Sequence, residues 1–319
     1  MDNRSYRHQY IEEYVQDERF TEQTIVTNIN FWKRVEKTEN VIGKHLEDGY
    51  AREEYISLFN KLKLTTPQSM TPRKTTIRNY IQWLCEQGVL DEEPLKALDS
   101  VTYHDINADD YYENGFFKDF GDLKDKIESA LIATEVIDDR RYGTEVTAIL
   151  LAWCGITAEE AITIRKEDVH EDYISTKNGE LRPVSYIMSF LNDYKDQTDY
   201  QVMLPQGVAT YKYVWSDFLL RTSRQDRIRS GRNLRILLNN FSKQAEAQSN
   251  PFSYNKIYWS GVYHRAYLYE CANGPIKPGD VETIQKIFGE TYSYVQDANK
   301  RLYAYQRYKE YFFPSAKQS

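Results

Sequence analysis

The densest group of residues that could bind a phosphate lies between positions 221 and 235. Six arginines fall within these 15 residues, opposed only by Asp226. They are Arg221, Arg224, Arg227, Arg229, Arg232 and Arg235. The planar guanidinium fork suits phosphate oxygens and guanine edges. A solvated basic face is the alternative, but this much positive charge in a chain of net charge -7 favours a polyanionic partner.

A second basic group occupies a helix that the sequence predicts from Pro72 to Gly88. Ile77, Ile81 and Leu84 form its apolar stripe. Away from that stripe lie Arg73, Lys74, Thr75, Thr76 and Arg78. A helix start with unpaired N–H groups and nearby cations could bind a DNA phosphate. A solvated helix end is the alternative interpretation.

A third group combines a basic hairpin with tyrosines near the carboxyl end. The segment 173–184 contains Asn178-Gly179 between extended runs, which predicts a β-hairpin carrying Lys177 and Arg182. The last predicted helix contains Tyr303, Tyr305 and Tyr308, and a tyrosine hydroxyl can attack a phosphodiester. Because the chain has 27 tyrosines, most of them are expected to serve packing.

The stretch between the central apolar run and this hairpin resembles, from Gly155 to Val169, the segment that opens the active site of the tyrosine recombinases, the phage integrase family. The matching positions are Gly155, Glu160, Asp168 and Val169. The hairpin resembles the family's own β-hairpin, with Lys177, Gly179, Arg182 and Val184 in register. In an active recombinase that lysine enters the minor groove and acts as a general acid. The resemblance implies a mainly α, two-domain fold with a small β-hairpin or sheet.

The residues that would stabilise charge in an active recombinase are replaced in this sequence. Thr157 stands at the first arginine position and Tyr263 at the second. Ser260 and Glu290 stand at the two histidine positions. Moving Arg265 into the second arginine position would need a two-residue slip, a rotation of about 200° on a helix. Since losing one such donor typically costs about 100 to 1,000-fold in rate, the sequence predicts no catalysis.

Composition limits the remaining choices. No apolar run approaches the roughly 20 residues of a membrane span, and the first eight residues lack a signal-peptide core. The three cysteines are widely spaced, which indicates reduced thiols rather than a metal site. We therefore expect neither a cofactor, nor a metal, nor a small-molecule substrate. The expected location is the cytoplasm of a bacterial host, at the nucleoid.

Together with the resemblance, the helical pattern implies three segments. Residues 1–20 are expected to form a helical arm, 21–105 the helical, SAM-like core-binding domain that the resemblance implies, and 106–319 an integrase-like domain that is inactive. Helices are predicted to begin at Thr21, Thr38 and Arg52, and another to run from Tyr213 to Leu220. The segment from Tyr194 to Gly207 is predicted to be extended or irregular.

The function implied is sequence-specific binding of double-stranded DNA, with the duplex held between two helical domains. Degenerate integrases of this kind resemble the repressors that maintain lysogeny in SPβ-type prophages by binding operator repeats. Oligomerisation on DNA is an open expectation, since active relatives exchange their carboxy-terminal segments. Two alternatives remain: an active recombinase using Tyr303 or Tyr305, and an interaction protein without a DNA role.

Overall fold

The computed structural model describes residues 3–15, 21–64, 67–106, 112–113, 115–134, 139–245 and 251–314. Contacts divide the chain into two compact units, Met1–Tyr111 and Tyr112–Ser319, called unit 1 and unit 2 below. No described helix is long and apolar enough to cross a membrane. The predicted boundary near residue 105 is followed by residues 107–111, which lie outside the described residues.

Unit 1 consists of helices. They are α1 (Asn3–Tyr10, continued by a π-helical turn at Ile11–Val15), α2 (Glu22–Ile42), α3 (Arg52–Lys61), α4 (Pro67–Glu86) and α5 (Glu93–Ser100). Short 3-10 turns lie at Leu46–Asp48 and Tyr103–Asp105. Buried aromatic side chains fill the centre, among them Trp32, Tyr55, Phe59 and Tyr80.

A buried ionic network holds the amino-terminal helix in unit 1. Arg7 donates to Glu39 at 2.5 Å and to Glu47 at 2.7 Å, and the Tyr80 hydroxyl donates to Glu47 at 2.5 Å. Burial opposes the charge of Arg7, but Glu39 and Glu47 outweigh it and raise the pKa of the guanidinium. The segment predicted as an arm therefore packs into this unit over residues 3–15.

Unit 2 alternates helices with two antiparallel hairpins. Its helices are α6 (Phe120–Ala133), α7 (Gly143–Trp153), α8 (Ala158–Ala161), α9 (Ser185–Asp196), α10 (Gly231–Gln244), α11 (Tyr254–Asn273), α12 (Val281–Phe288) and α13 (Val295–Phe312). Its strands are β1 (Ile174–Thr176), β2 (Gly179–Leu181), β3 (Asp199–Leu204) and β4 (Gly207–Lys212). The strands pair as β1–β2 and β3–β4, and 3-10 turns lie at Asp139–Tyr142 and Lys166–Asp168. The predicted fold class, mainly α with small β-hairpins, is confirmed.

The apolar helix α7 lies at the centre of unit 2, with ten of its eleven residues buried. Helix α11 crosses it closely at Gly261, where a Cβ would lie only 1.9 Å from the Trp153 carbonyl oxygen. Any larger residue at that position would push the two helices apart. This contact fixes α11, and with it Ser260, Tyr263 and Arg265, against the end of α7.

Three local predictions were wrong. No helix begins at Thr38, because α2 continues through it and its hydroxyl donates to the Arg34 carbonyl at 2.8 Å. Helix α4 begins at Pro67, where a missing N–H costs little, so Pro72 lies inside it. Residues 213–220 are not helical, because Val214 and Leu219 donate their N–H groups to Thr222 and Ile164 instead.

Both hairpins follow from local turn chemistry, but only one was foreseen. In β1–β2 the two-residue turn is Lys177-Asn178, and Gly179 takes the positive φ of 111° that favours glycine. The second hairpin, β3–β4, turns at Pro205-Gln206 into Gly207, where only an extended or irregular piece was expected. It packs Tyr200 against Tyr211 and Tyr213.

Candidate nucleic-acid interface

The positions at which the resemblance expects charged residues have structural partners in the fold. Thr157 caps helix α8, and its hydroxyl accepts the Glu160 N–H at 3.2 Å. Ser260 is fully buried, where it donates to the Lys256 carbonyl at 2.7 Å and accepts the Phe117 N–H at 3.0 Å. Both hydroxyls are therefore engaged in holding the backbone.

Tyr263 belongs to an aromatic cluster rather than to an open site. It is 3% exposed and stacks on Trp259, with Phe288, Tyr305 and Tyr308 also in ring contact. Its hydroxyl lies 3.5 Å from an Arg301 nitrogen. An aromatic side chain thus fills the position at which the family resemblance expects an arginine.

Glu290 forms a two-pronged ion pair with Arg301. The Nε and Nη2 atoms of Arg301 each donate to a Glu290 oxygen at 3.0 Å, and the Tyr292 hydroxyl donates at 2.6 Å. The Arg301 guanidinium stacks on Trp259, 3.5 Å from the ring centre. Burial opposes its charge, but Tyr263 and Glu290 raise the pKa of Arg301 overall. We call Trp259, Tyr263, Glu290 and Arg301 the remnant cluster.

Arg301 is a residue that the sequence prediction missed. It lies one position before Leu302, which is fully buried together with Tyr305 and Tyr308 of the same helix. The two residues are eleven positions apart, and Glu290 lies outside the helix that contains Arg301, so a helical repeat does not predict their pairing. Trp259 from α11 stacks on the Arg301 guanidinium of this pair.

Two of the three candidate tyrosines are unavailable as nucleophiles. Tyr305 is fully buried and donates to a Glu270 oxygen at 2.7 Å, and Tyr308 is fully buried and donates to the Phe117 carbonyl at 2.7 Å. Burial, reinforced by Glu270, raises the pKa of Tyr305 above its ordinary value. The assignment of Tyr305 as a candidate nucleophile was therefore wrong, whereas Tyr303 is 36% exposed.

The structure brings Thr157, Glu160 and Lys177 around one cavity of about 390 Å³ between α8 and the β1–β2 hairpin. Lys177 is exposed at the hairpin turn. One Glu160 oxygen is buried and has no hydrogen-bond partner among the described residues. Asp168 and Glu159 also line this cavity, so Lys177 approaches a predominantly acidic wall. Arg182, on the same hairpin, forms ion pairs with Asp172 and Glu180.

The predicted arginine cluster contains one buried residue. Arg221 is 1% exposed, donates to the carbonyls of Tyr194, Lys195 and Gln197, and lies between the rings of Tyr194 and Tyr213. Its predicted contact with DNA was wrong, because the guanidinium is committed to capping the carbonyl end of α9.

The other arginines of this group lie on the surface. Arg227 stacks over Phe218, Arg229 lies 3.8 Å from Asp226, and Arg235 lies 3.3 Å from Glu159. Arg224 and Arg232 are exposed, and neither forms an ion pair within the part of the chain that the structure describes. We call residues 221–235 the arginine segment; it is irregular to Ser230 and helical from Gly231.

The cations of α4 are half-buried and have partners within unit 1. Arg73 stacks over Phe31, 4.6 Å from the ring centre. Lys74 donates to the carbonyls of Asp99 and Val101, at 3.0 and 2.7 Å, and Arg78 pairs with the Asp99 carboxylate at 3.0 Å. Because α4 begins at Pro67, these residues lie in its second and third turns. The predicted helix-start binding site is therefore absent from this position.

The hydroxyls of Thr75 and Thr76 donate back to the carbonyls of Thr71 and Pro72, both at 3.0 Å. A threonine hydroxyl bonded in this way retains lone pairs but has used its proton. These two side chains would have to rotate before donating to a phosphate.

Arg265 occupies the space that Gly155 leaves open. Its Nη2 atom lies 2.3 Å from where a Gly155 Cβ would be, and its Nη1 atom donates to the Trp153 carbonyl at 2.9 Å. Gly155 itself has a φ of +83°. The residue as a whole is exposed, but burial of the guanidinium lowers the pKa of Arg265. His264, its neighbour, packs against Trp153 and likewise has a lowered pKa through burial.

Residues 1–86 match a family model described as MrpR, N-terminal core-binding domain. No curated protein matches the chain. Among solved structures, the chain is similar to XerA recombinase at 15% identity, over 99% of both chains and with a TM-score of 0.38. It is also similar to a lambda integrase dimer bound to a COC' core site, at 11% identity over 94% of both chains and a TM-score of 0.39. A DNA-bound lambda integrase gives 11% identity over 92% of this chain and 95% of that one, with a TM-score of 0.40.

Proposed function

We propose that the chain is a sequence-specific double-stranded DNA-binding protein that keeps a tyrosine-recombinase-like frame and has lost strand cleavage. The proposal extends to a role as a phage transcriptional repressor that maintains lysogeny. Two observations support DNA binding: the match of residues 1–86 to a core-binding domain model, and the motif resemblance at 155–169 and 173–184. The exposed arginines of unit 2 supply the charge.

The proposed loss of catalysis is supported mainly by the ion pair between Glu290 and Arg301. Phosphoryl transfer requires uncommitted cations and donors around the phosphate. Here the histidine-like position is a carboxylate, and the nearby arginine already neutralises it at 3.0 Å. A phosphate would have to displace Glu290 from Arg301 while remaining close to the released negative charge.

The proposed DNA contacts differ in whether the cation already has a partner in the protein. In unit 2, Arg224 and Arg232 are exposed without an ion pair among the described residues, and Arg227 is exposed but stacks over Phe218. Lys177 presents a cation at the hairpin turn. Arg229, Arg235, Arg182 and Arg265 would have to exchange a present partner for phosphate. In unit 1, Arg73, Lys74 and Arg78 would likewise leave their present contacts.

Retention of random genomic fragments on the full-length protein, followed by sequencing, tests the central claim. We expect a small set of fragments that share a repeated sequence element. Placing a recovered fragment upstream of a reporter should lower its expression when the protein is present. Retention of fragments without any shared element would contradict sequence specificity. Absence of retention at low salt would instead favour an interaction protein without a DNA role.

The second candidate function is an active recombinase, which the exposure of Tyr303 and Lys177 favours. A nicked suicide substrate built around the recovered element would trap a covalent 3′-phosphotyrosine. We expect no covalent product from the wild-type chain. A product that disappears in Tyr303→Phe and persists in Tyr311→Phe would replace the inactive assignment with catalysis.

A further inference from the structure

A second cavity of unit 2 lies directly beside the arginine segment and has no part in the recombinase-like site. Its volume is about 570 Å³, within the range of about 300 to 1,000 Å³ typical of small-molecule sites. The cavity is lined by the start of α7, by α10, by Tyr200 and by residues within 222–228.

Glu145 is a half-buried carboxylate that lines this cavity. Burial raises its pKa to about 7, and a hydrogen bond from its own backbone N–H, together with the charge of Arg141, only partly counters this effect. Among the described residues, no side chain donates a hydrogen bond to this carboxylate. A ligand that brings N–H groups would supply such donors and stabilise the charged form.

The remaining lining suits a flat aromatic ligand with polar edges. The cavity is lined by the half-buried Tyr200 and by the buried side chains of Tyr142, Tyr213 and Phe241. Asn233, Asn240, Gln225 and Gln244 bring side-chain amides. Aromatic rings stack on nucleobases of any sequence, whereas amides and carboxylates distinguish their edges. This combination of side chains favours a nucleobase over an aliphatic ligand.

The positive charges of two arginines at the cavity disfavour a cationic ligand. Arg141 and Arg224 both line the cavity, so an organic cation drawn to Glu145 would be repelled by two positive charges. A neutral group with two adjacent N–H donors avoids this repulsion. The guanine edge offers N1–H and the N2 amino group side by side, and an attached phosphate would pair with the arginines.

We propose that this cavity binds a guanine nucleotide. Glu145 accepts hydrogen bonds from N1–H and the N2 amino group, the tyrosine and phenylalanine rings contact the base, and Arg141 and Arg224 bind the phosphate. Binding itself does not rest on the DNA-binding proposal. One consequence does: a bound nucleotide would occupy Arg224, one of the proposed DNA contacts.

Isothermal titration calorimetry of the full-length protein with GMP, IMP, AMP and guanosine tests the proposal. We expect GMP to bind at least about tenfold more tightly than AMP or than IMP, which lacks the N2 amino group. Glu145→Gln should remove this preference, because the amide replaces one acceptor by a donor facing N1–H. Arg224→Ala should reduce the advantage of GMP over guanosine by about tenfold.

The control is Arg232→Ala, an exposed arginine of the same segment that does not line the cavity. It should bind GMP as the wild type does, and circular dichroism of every variant should show unchanged helix content. Equal affinity of the wild type for GMP and AMP, absence of GMP binding, or an undiminished guanine preference in Glu145→Gln would each overturn the proposal.

Discussion

Arginine side chains are paired within the protein in the remnant cluster, whereas several in the arginine segment are exposed and unpaired among the described residues. In the remnant cluster, Arg301 is held by Glu290, by Trp259 and by the Tyr263 hydroxyl. In the arginine segment, Arg224 and Arg232 face solvent and have no ion partner among the described residues. An arginine that the fold has already neutralised stabilises structure, whereas one left exposed is available to a ligand. The difference separates the cluster at the replaced recombinase-like positions from the surface that we propose to contact DNA.

The same contrast appears inside the arginine segment itself. Arg221 and Arg224 are three residues apart, yet Arg221 is buried beneath the carbonyl end of α9 while Arg224 borders an open cavity. Their spacing in the sequence does not predict which of the two is buried. The tertiary hydrogen bonds of residues 213–222 turn one guanidinium inward and leave the next outside.

The largest expected effect is that of Arg221→Ala. The substitution removes the donor to the backbone carbonyls of Leu219, Tyr194, Lys195 and Gln197 and empties a buried space between two tyrosines. We therefore expect the unfolding free energy to fall by about 3 to 5 kcal/mol. Urea denaturation followed by circular dichroism measures the loss. Arg224→Ala is the matched control and should change stability by less than about 0.5 kcal/mol. Equal losses of stability in the two variants would contradict a structural role that is specific to Arg221.

A smaller effect is expected on DNA affinity when Arg224, Arg227 and Arg232 are together replaced by alanine. If each contacts one phosphate, affinity should fall about 10 to 100-fold at moderate salt, and the slope against salt should flatten by about two to three. Fluorescence anisotropy across a salt titration with the recovered element gives both values. Alanine at Lys277, Lys286 and Lys300 removes the same charge elsewhere on unit 2. An identical effect from that control would assign the loss to net charge alone.

Replacing Arg301 by methionine tests the remnant cluster. Methionine retains an apolar contact with Trp259 but leaves the Glu290 carboxylate without its main partner, so we expect a loss of about 1 to 2 kcal/mol. Adding Glu290→Gln should restore part of that stability, which a double-mutant cycle in urea would reveal. Strictly additive losses would show that the two side chains do not stabilise each other. DNA affinity should be unchanged in all three variants.

A pH-dependent effect is expected at Glu145. Its folded pKa of about 7 exceeds the ordinary value of 4.5, so folding favours the neutral form and stability falls as pH rises through about 4.5 to 7. Glu145→Gln should therefore match the wild type below pH 4.5 and exceed it by up to about 3 kcal/mol near pH 8. Thermal unfolding at both pH values measures the difference. If Glu145→Gln were more stable than the wild type only at the lower pH, the pKa of Glu145 would be lowered by folding rather than raised.

Local sequence signals accounted for the elements whose structure depends on nearby residues. Asn178-Gly179 predicted the β1–β2 hairpin, and the predicted helix starts at Thr21 and Arg52 correspond to the starts of α2 and α3. Where long-range contacts compete with local preference, prediction failed. Thr38 is a good capping residue, but the helix continues through it because its hydroxyl has a partner one turn earlier.

The candidate site was less predictable than the fold, for a related reason. Residue type identified the arginines, the Lys177 hairpin and the replaced positions at Thr157, Ser260, Tyr263 and Glu290. It did not reveal that Arg301 neutralises Glu290, that Arg265 fills the space beside Gly155, or that Tyr305 bonds to Glu270. None of these contacts lies within a single helix or strand.

The sequence by itself determined which chemical groups are present and which are missing, because a threonine or tyrosine cannot supply the charge of an arginine. It also determined the helical and hairpin elements whose caps and turns are local. Only the tertiary structure decided which charges remain available. Burial and pairing depend on neighbours from other elements, and a guanidinium that satisfies several carbonyls or a carboxylate within the fold can no longer bind phosphate without leaving them unpaired.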